Sequence, residues 1–201
     1  MKKATARKSW RNHLWIVTCV YFLLGLYNIA FAWLGLIFFV TPLLLAIFGG
    51  NKAFCNQYCD RGRFFRLLGG QLGLSRGAPM PGWMKSGWFR YLFMAYFFGM
   101  FGSVSLATWL VASQARAVDG AIKLFQALRL PGDWSYSAGL LPPWATQFAF
   151  GFYSLMLTSL VLGIVTMLLF KPRSWCVYCP MGTLTQMICK LKNKPQPPAA
   201  G

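Results

Sequence analysis

The sequence predicts an all-α integral membrane protein with four transmembrane helices and short interfacial helices after each of two cysteine pairs. Three observations carry that reading. Of the 201 residues, 57% are hydrophobic and 17% aromatic, against only three carboxylates, a balance unlike that of a soluble globular domain. No Lys, Arg, Asp or Glu occurs from Asn12 to Asn51, from Tyr91 to Ala115, or from Trp134 to Phe170, and a helix crosses a bilayer with roughly 20 apolar residues. The 20 Lys and Arg fall between those runs.

The first charge-free run is about twice the length one crossing needs, so it reads as two helices joined by a tight turn near Asn28 to Trp33. It is too long for the core of a signal peptide, typically about 7 to 15 residues, and no small-residue cleavage site with a polar sequel follows. The segment is expected to stay. The second run supplies one crossing. In the third, Pro142 and Pro143 end any helix begun upstream, which leaves about Trp144 to Phe170 to cross. Trp83, Trp88, Trp134 and Trp144 near span ends fit an aromatic belt. The chain thus reads as a single membrane domain, 1–201, built from two halves, 1–75 and 83–194. A flexible Gly/Pro-rich connection near 69–82 joins them, and a disordered tail runs over 194–201.

Lys and Arg number 5 in residues 1–12, 7 in 50–90, 3 in 114–144 and 5 in 171–201. With four crossings the termini and the 50–90 loop share one side, carrying 17 of the 20 cations, and by the positive-inside rule that side is the cytoplasm. A net charge of +17 does not make a nucleic-acid protein here, because the cations flank spans rather than forming one basic domain. Anionic lipid headgroups are the expected partner.

Both cysteine pairs fall on that cytoplasmic side. Cys55 and Cys59 follow the first two spans, and Cys176 and Cys179 follow the last. A reducing compartment keeps such thiols free for metal. Aligned on the second cysteine, the two segments match: an aromatic precedes the first cysteine (Phe54, Trp175), Tyr precedes the second (Tyr58, Tyr178), and Gly follows three residues later (Gly62, Gly182). Apolar residues at helical spacing come next, Phe64, Phe65, Leu67 and Leu68 in one, Leu184, Met187, Ile188 and Leu191 in the other. A duplicated unit follows, each copy offering two ligands at the start of a short amphipathic helix. Pro180 suits the first helical position. The free N–H groups and positive dipole end of such a helix would face anionic sulfur, the glycines would let backbone approach closely, and Arg61, Arg63 and Arg66 stand just behind Cys59.

Four soft sulfur ligands in two clusters suit iron or zinc, and a Cys-Pro step after a closely spaced pair is an iron-sulfur habit. The expectation is one [4Fe-4S] cluster on Cys55, Cys59, Cys176 and Cys179. A structural zinc site in a scaffold or assembly factor remains the alternative. So does thiol-disulfide exchange with quinone, although reactive pairs of that kind work on the oxidising side. Cys19 and Cys189 read as packed thiols. His13 is the lone histidine, which rules out bis-histidine haem within this chain, and the nine Met show no copper-binding cluster. Gly69-Gly70-Gln71-Leu72-Gly73 lacks the lysine of a phosphate loop. With Asp60, Asp119 and Asp133 as the only carboxylates, acid-base hydrolysis has few candidates.

At Cys176-Val177-Tyr178-Cys179-Pro180-Met181-Gly182-Thr183-Leu184 the chain resembles the membrane 4Fe-4S binding proteins related to polyferredoxins, among them the membrane parts of nitrous-oxide reductase maturation regulators and periplasmic nitrate reductase accessory proteins. The Cys55 to Phe65 segment resembles that family's other cysteine half. The family's usual motif is C-x-x-x-C-P, used twice. Here the first pair keeps the spacing with Asp60 in place of proline, and the second keeps the proline with two intervening residues. The resemblance implies an electron-transfer subunit rather than a stand-alone enzyme, set in a bacterial cytoplasmic membrane and working with a flavin-, haem- or quinone-linked redox protein.

Overall fold

A computed structural model describes residues 13–49, 55, 58–125, 127–130 and 141–192. The expected 194–201 tail, together with Trp134, lies outside the described residues.

The described residues fold mostly as helices: α1 (Trp15–Tyr27), α2 (Leu34–Gly49), α3 (Asp60–Arg66), α4 (Gly82–Lys85), α5 (Gly87–Ala112), α6 (Pro143–Leu169), α7 (Trp175–Tyr178) and α8 (Pro180–Lys192). The turn expected near Asn28 is a 3-10 helix, Ile29–Trp33, that runs into α2. Asn28 is extended, and its side-chain oxygen accepts the Ala30 N–H at 2.9 Å, the local bond that stops α1. Ser86 caps α5 by accepting the Phe89 N–H. Pro143 opens α6 at the position where a missing N–H costs nothing.

Among the described residues three helices are long and apolar enough to cross a membrane, Ile29–Gly49, Gly87–Ala112 and Pro143–Leu169. The fourth expected crossing corresponds to α1, whose 13 residues span only about 20 Å at 1.5 Å per residue. Helix α6 is the axis of the fold: 56% of its most apolar window is buried, against 28% and 22% for the other two. Close approach brings the helices together. A Cβ on Gly25 would sit 2.3 Å from the Tyr153 ring, and one on Gly151 would sit 2.5 Å from Val104, the small-residue contact by which apolar helices associate. Tyr153 Oη then donates to the Phe22 carbonyl at 2.9 Å.

Two features depart from the sequence reading. The 69–82 connection is pinned rather than free: Ser75 Oγ donates to the Phe170 carbonyl, Arg76 N–H to the Leu168 carbonyl at 2.9 Å, and Ala78 bridges Phe170. Extended backbone here finds unused carbonyls at the end of α6. Between α5 and α6 a two-stranded antiparallel hairpin forms, β1 (Lys123–Leu124) with β2 (Leu128–Arg129). It lies against α6, where Gln147 Oε1 accepts the Asp119 N–H, Ser154 Oγ the Lys123 N–H and Thr158 Oγ1 the Phe125 N–H, at 2.8, 2.9 and 3.1 Å.

The helices that follow the cysteine pairs are packed elements. Phe65 of α3 is fully buried, and α8 lies against α2 and α5. Lys192 donates to the Ile47 and Phe48 carbonyls at 2.7 and 3.1 Å, satisfying the free carbonyl end of α2. Of the belt tryptophans, Trp83, Trp88 and Trp144 are exposed.

Candidate functional site

The chain brings the two cysteine pairs together across a separation of more than a hundred residues. Cys55, Cys59, Cys176 and Cys179 all line one cavity of about 100 Å³, walled by Phe38, Phe39, Phe97, Met156 and Trp175. Each second cysteine sits just before a helix. Cys59, at φ −62 and ψ 109, caps α3, and its Sγ accepts the Gly62 N–H at 3.4 Å. Cys179, at φ −50 and ψ 127, precedes α8 in the same conformation, and its sulfur accepts the Gly182 N–H. The carbonyls repeat the pattern: Cys59 O accepts from Arg63 N at 3.1 Å and Cys179 O from Thr183 N at 2.9 Å. The Cys-x-x-Gly spacing therefore encodes one local device twice, a sulfur held by the first free N–H groups of a helix.

The cavity-facing side of α3 carries a glycine. A Cβ on Gly62 would lie 3.6 Å from Cys59 Sγ and 3.7 Å from Cys176 Sγ, so these sulfurs, from opposite halves of the chain, are no further apart than those two distances combined. Cys55 Sγ in turn lies 3.8 Å from Thr185 Oγ1 on α8. Each half thus touches the other at the sulfur atoms.

Two arginines set the electrostatics. Arg61 enters the cavity, donates to Ser159 Oγ at 2.6 Å and to Met156 Sδ at 2.8 Å, and lies over the Phe22 ring. Arg173 hydrogen-bonds Cys176 and lines, with Arg63, Arg66, Cys55, Cys59 and Gly62, a smaller adjoining hollow. Burial pushes the Cys59 thiol well above its usual range, reinforced by the neighbouring Asp60 charge. Burial likewise raises Cys176 against the pull of Arg173, and lifts Cys179 to about 11 against the Gly182 hydrogen bond. Such thiols keep their protons until a metal displaces them.

Among the described residues no three Cys, His, Asp or Glu side chains close on a point that would hold a single metal ion. Four sulfurs around a hollow suit a polynuclear core instead, and the soft donor set, the bare Gly62 face and the N–H groups aimed at sulfur all fit an iron-sulfur cluster. Cys19 and Cys189 do not line the cavity, Cys189 being buried on α8, and His13 is exposed at the start of the described chain. Arg173, Thr185 and the Met156–Ser159 wall were not expected. Arg173 carried a signal all the same: a basic residue stands three positions before the first cysteine in both halves, Lys52 and Arg173.

Two segments, residues 31–79 and 154–198, match the model of a 4Fe-4S binding domain. Together they make up just under half of the chain and contain all four cavity cysteines. No curated protein and no solved structure matches the chain. The match supports a [4Fe-4S] cluster and, with it, an iron-sulfur protein with a role in electron transfer.

Proposed function

We propose that this is a membrane-embedded electron carrier holding one [4Fe-4S] cluster at its cytoplasmic face through Cys55, Cys59, Cys176 and Cys179. The observation that carries the reading is the single cavity lined by both pairs, approached by two helix starts that repeat the same sulfur-to-N–H bond. When bound, such a cluster supplies a site that takes up and releases one electron. The chain's own residues do the rest. The Gly62 and Gly182 N–H groups and the Arg61 and Arg173 guanidiniums stabilise negative charge on sulfur, and Trp175, Phe97 and the α2 phenylalanines limit water at the inner wall.

The membrane setting is supported by three apolar helices of spanning length, by exposed Leu23, Ile37, Phe48, Trp88 and Trp109, and by the cations gathered on the cysteine side. A bacterial inner membrane with both termini cytoplasmic is the proposed location, and kinship with polyferredoxin-related membrane proteins the proposed type. A cluster on one face is too far from the other to serve it alone across about 30 Å. A flavin-, haem- or quinone-linked redox protein is therefore the proposed partner.

Anaerobic purification followed by iron and acid-labile sulfide analysis tests the reading. Brown protein with iron and sulfide in equal amounts and a reduced-state EPR signal is the expected result. Colourless protein carrying zinc would overturn it. In intact cells an impermeant thiol reagent should leave Cys55 of the metal-free protein unlabelled and reach it once the cells are opened.

A further inference from the structure

A second cavity, of about 270 Å³, lies on the other side of α6 from the cysteines. Its walls come from three elements: Ser103, Val104 and Ala107 of α5, Gln147, Phe150, Gly151 and Ser154 of α6, and Arg116, Asp119, Ala121 and Lys123 of the hairpin arm. The three hydrogen bonds from Asp119, Lys123 and Phe125 to Gln147, Ser154 and Thr158 lay that arm along 11 residues of α6, about 16 Å of helix. The arm therefore runs from the start of α6 to its middle. Irregular backbone at such a depth is tolerated where it is buried in protein or lines a polar cavity, and Ile122 is indeed buried at 1%. A void of this size beside polar backbone has room for a small ligand group.

Charge gives its chemistry. Asp119 accepts from Lys123 Nζ at 2.5 Å and from Arg129 at 3.5 Å, so one carboxylate already serves two cations and is held below the usual carboxylate range by the Lys123 hydrogen bond. Arg116 stands exposed at the mouth with no partner among the described residues. Gln147 spends its carbonyl on the Asp119 N–H, which leaves its amide hydrogens to donate. Among the described residues, three cations against one anion leave two positive charges, and a phosphate monoester carries about −1.5 to −2 at neutral pH. Arg and Lys donors in this arrangement match phosphate oxygens.

We propose that the cavity between α5, α6 and the hairpin binds a phosphate group, with Arg116 and Lys123 as its charged ligands and Gln147 as a neutral donor. Helix α6 stands between it and the cysteine site: Gly151 and Ser154 line one cavity, Met156 and Ser159 the other. The phosphate belongs either to a small soluble phosphate compound or to a phospholipid headgroup.

The test uses the full chain in nanodiscs of phosphatidylcholine, following thermal unfolding as inorganic phosphate is added against chloride at equal ionic strength. A saturable rise in Tm with phosphate is expected, with the half-saturating concentration at least about tenfold higher in Arg116→Gln, as loss of a charge-assisted contact implies. Arg116 is exposed and unpartnered among the described residues, so that variant should fold, whereas Lys123→Gln also breaks the hairpin ion pair. In parallel, native mass spectrometry of protein from discs containing phosphatidylglycerol reads the lipid source. Lipid retained by wild type and lost from Arg116→Gln, with the phosphate response gone in those discs, assigns the headgroup. A response to phosphate equal to that of chloride with no retained lipid, or any response unchanged in Arg116→Gln, overturns the proposal.

Discussion

The two cysteine half-sites share a local design and differ in how they are held. In the second, Trp175 and Tyr178 are buried at 3% and 2%, and their rings pack with Phe89 and Phe93 of α5 at centroid distances of 5.1 to 5.7 Å. In the first, the equivalent Tyr58 is 42% exposed. Its helix is anchored instead from behind, by Phe65 against Gly163 and by the Thr18 hydroxyl donating to Asp60 at 2.9 Å. One half is set within an aromatic core, and the other is fastened to α1 and α6 through Asp60, Arg61 and Phe65. A repeat in sequence thus fixes the turn at the second cysteine without fixing its support.

The largest effect that sharpens this contrast is on the four proposed ligands. Cys179→Ser, in the packed half, should lower iron and acid-labile sulfide below about one tenth of wild type, because a hard oxygen replaces one of four soft ligands at a rigid position. Cys55→Ser, in the first half, should retain more iron, lost faster in air, because the neighbouring Tyr58 is exposed where Tyr178 is packed. Equal losses from both variants would erase the distinction. Next in size is the tyrosine pair at matching positions. Tyr178→Ala should destabilise by about 3 to 4 kcal/mol through the cavity it leaves, and Tyr58→Ala by under about 0.5 kcal/mol, both read by thermal unfolding in detergent.

The local device was legible in the sequence and the support was not. Cys-x-x-Gly specifies a bond that closes within four residues, so Cys59 with Gly62 and Cys179 with Gly182 needed no knowledge of the fold. Which tyrosine is buried depends on Phe89 and Phe93, more than eighty residues from Tyr178, and nothing near either cysteine pair records it. The charge-free runs located the long helices for a similar reason, since length and apolarity are properties of a segment. The hairpin escaped because its register is set by Gln147, Ser154 and Thr158 in a run that reads only as an apolar helix. Helix α1 ends at Tyr27 because Asn28 hydrogen-bonds its own neighbour.

A smaller effect comes from glycines that face the two halves. A Cβ on Gly163 would lie 2.2 Å from the Phe65 ring, whereas one on Gly182 meets nothing closer than 3.7 Å. Gly163→Ala should therefore push α3 away from α6 at a cost of about 1 to 3 kcal/mol and lower cluster occupancy through Cys59. Gly182→Ala should leave Tm nearly unchanged. An unaltered iron content in Gly163→Ala would show that the first half is not fastened through Phe65.

The smallest effect follows from the position just after the second cysteine, Asp60 in one half and Pro180 in the other. Both residues open a helix, where the N–H has no partner within the helix, and Cys59 already has the extended backbone that a following proline requires, close to that of Cys179. Asp60→Pro therefore keeps the turn and the Cys59 to Gly62 bond. What it loses is the Thr18 hydroxyl contact and a carboxylate at a helix start, together about 1 to 2 kcal/mol. Thr18→Val should account for most of that loss, and adding it to Asp60→Pro should change little further, because both remove one fastening. A double variant much less stable than either single one would mean that Thr18 supports α3 by another route. Iron retained in Asp60→Pro would show that the two halves are interchangeable at the ligands and distinct only in how the protein holds them.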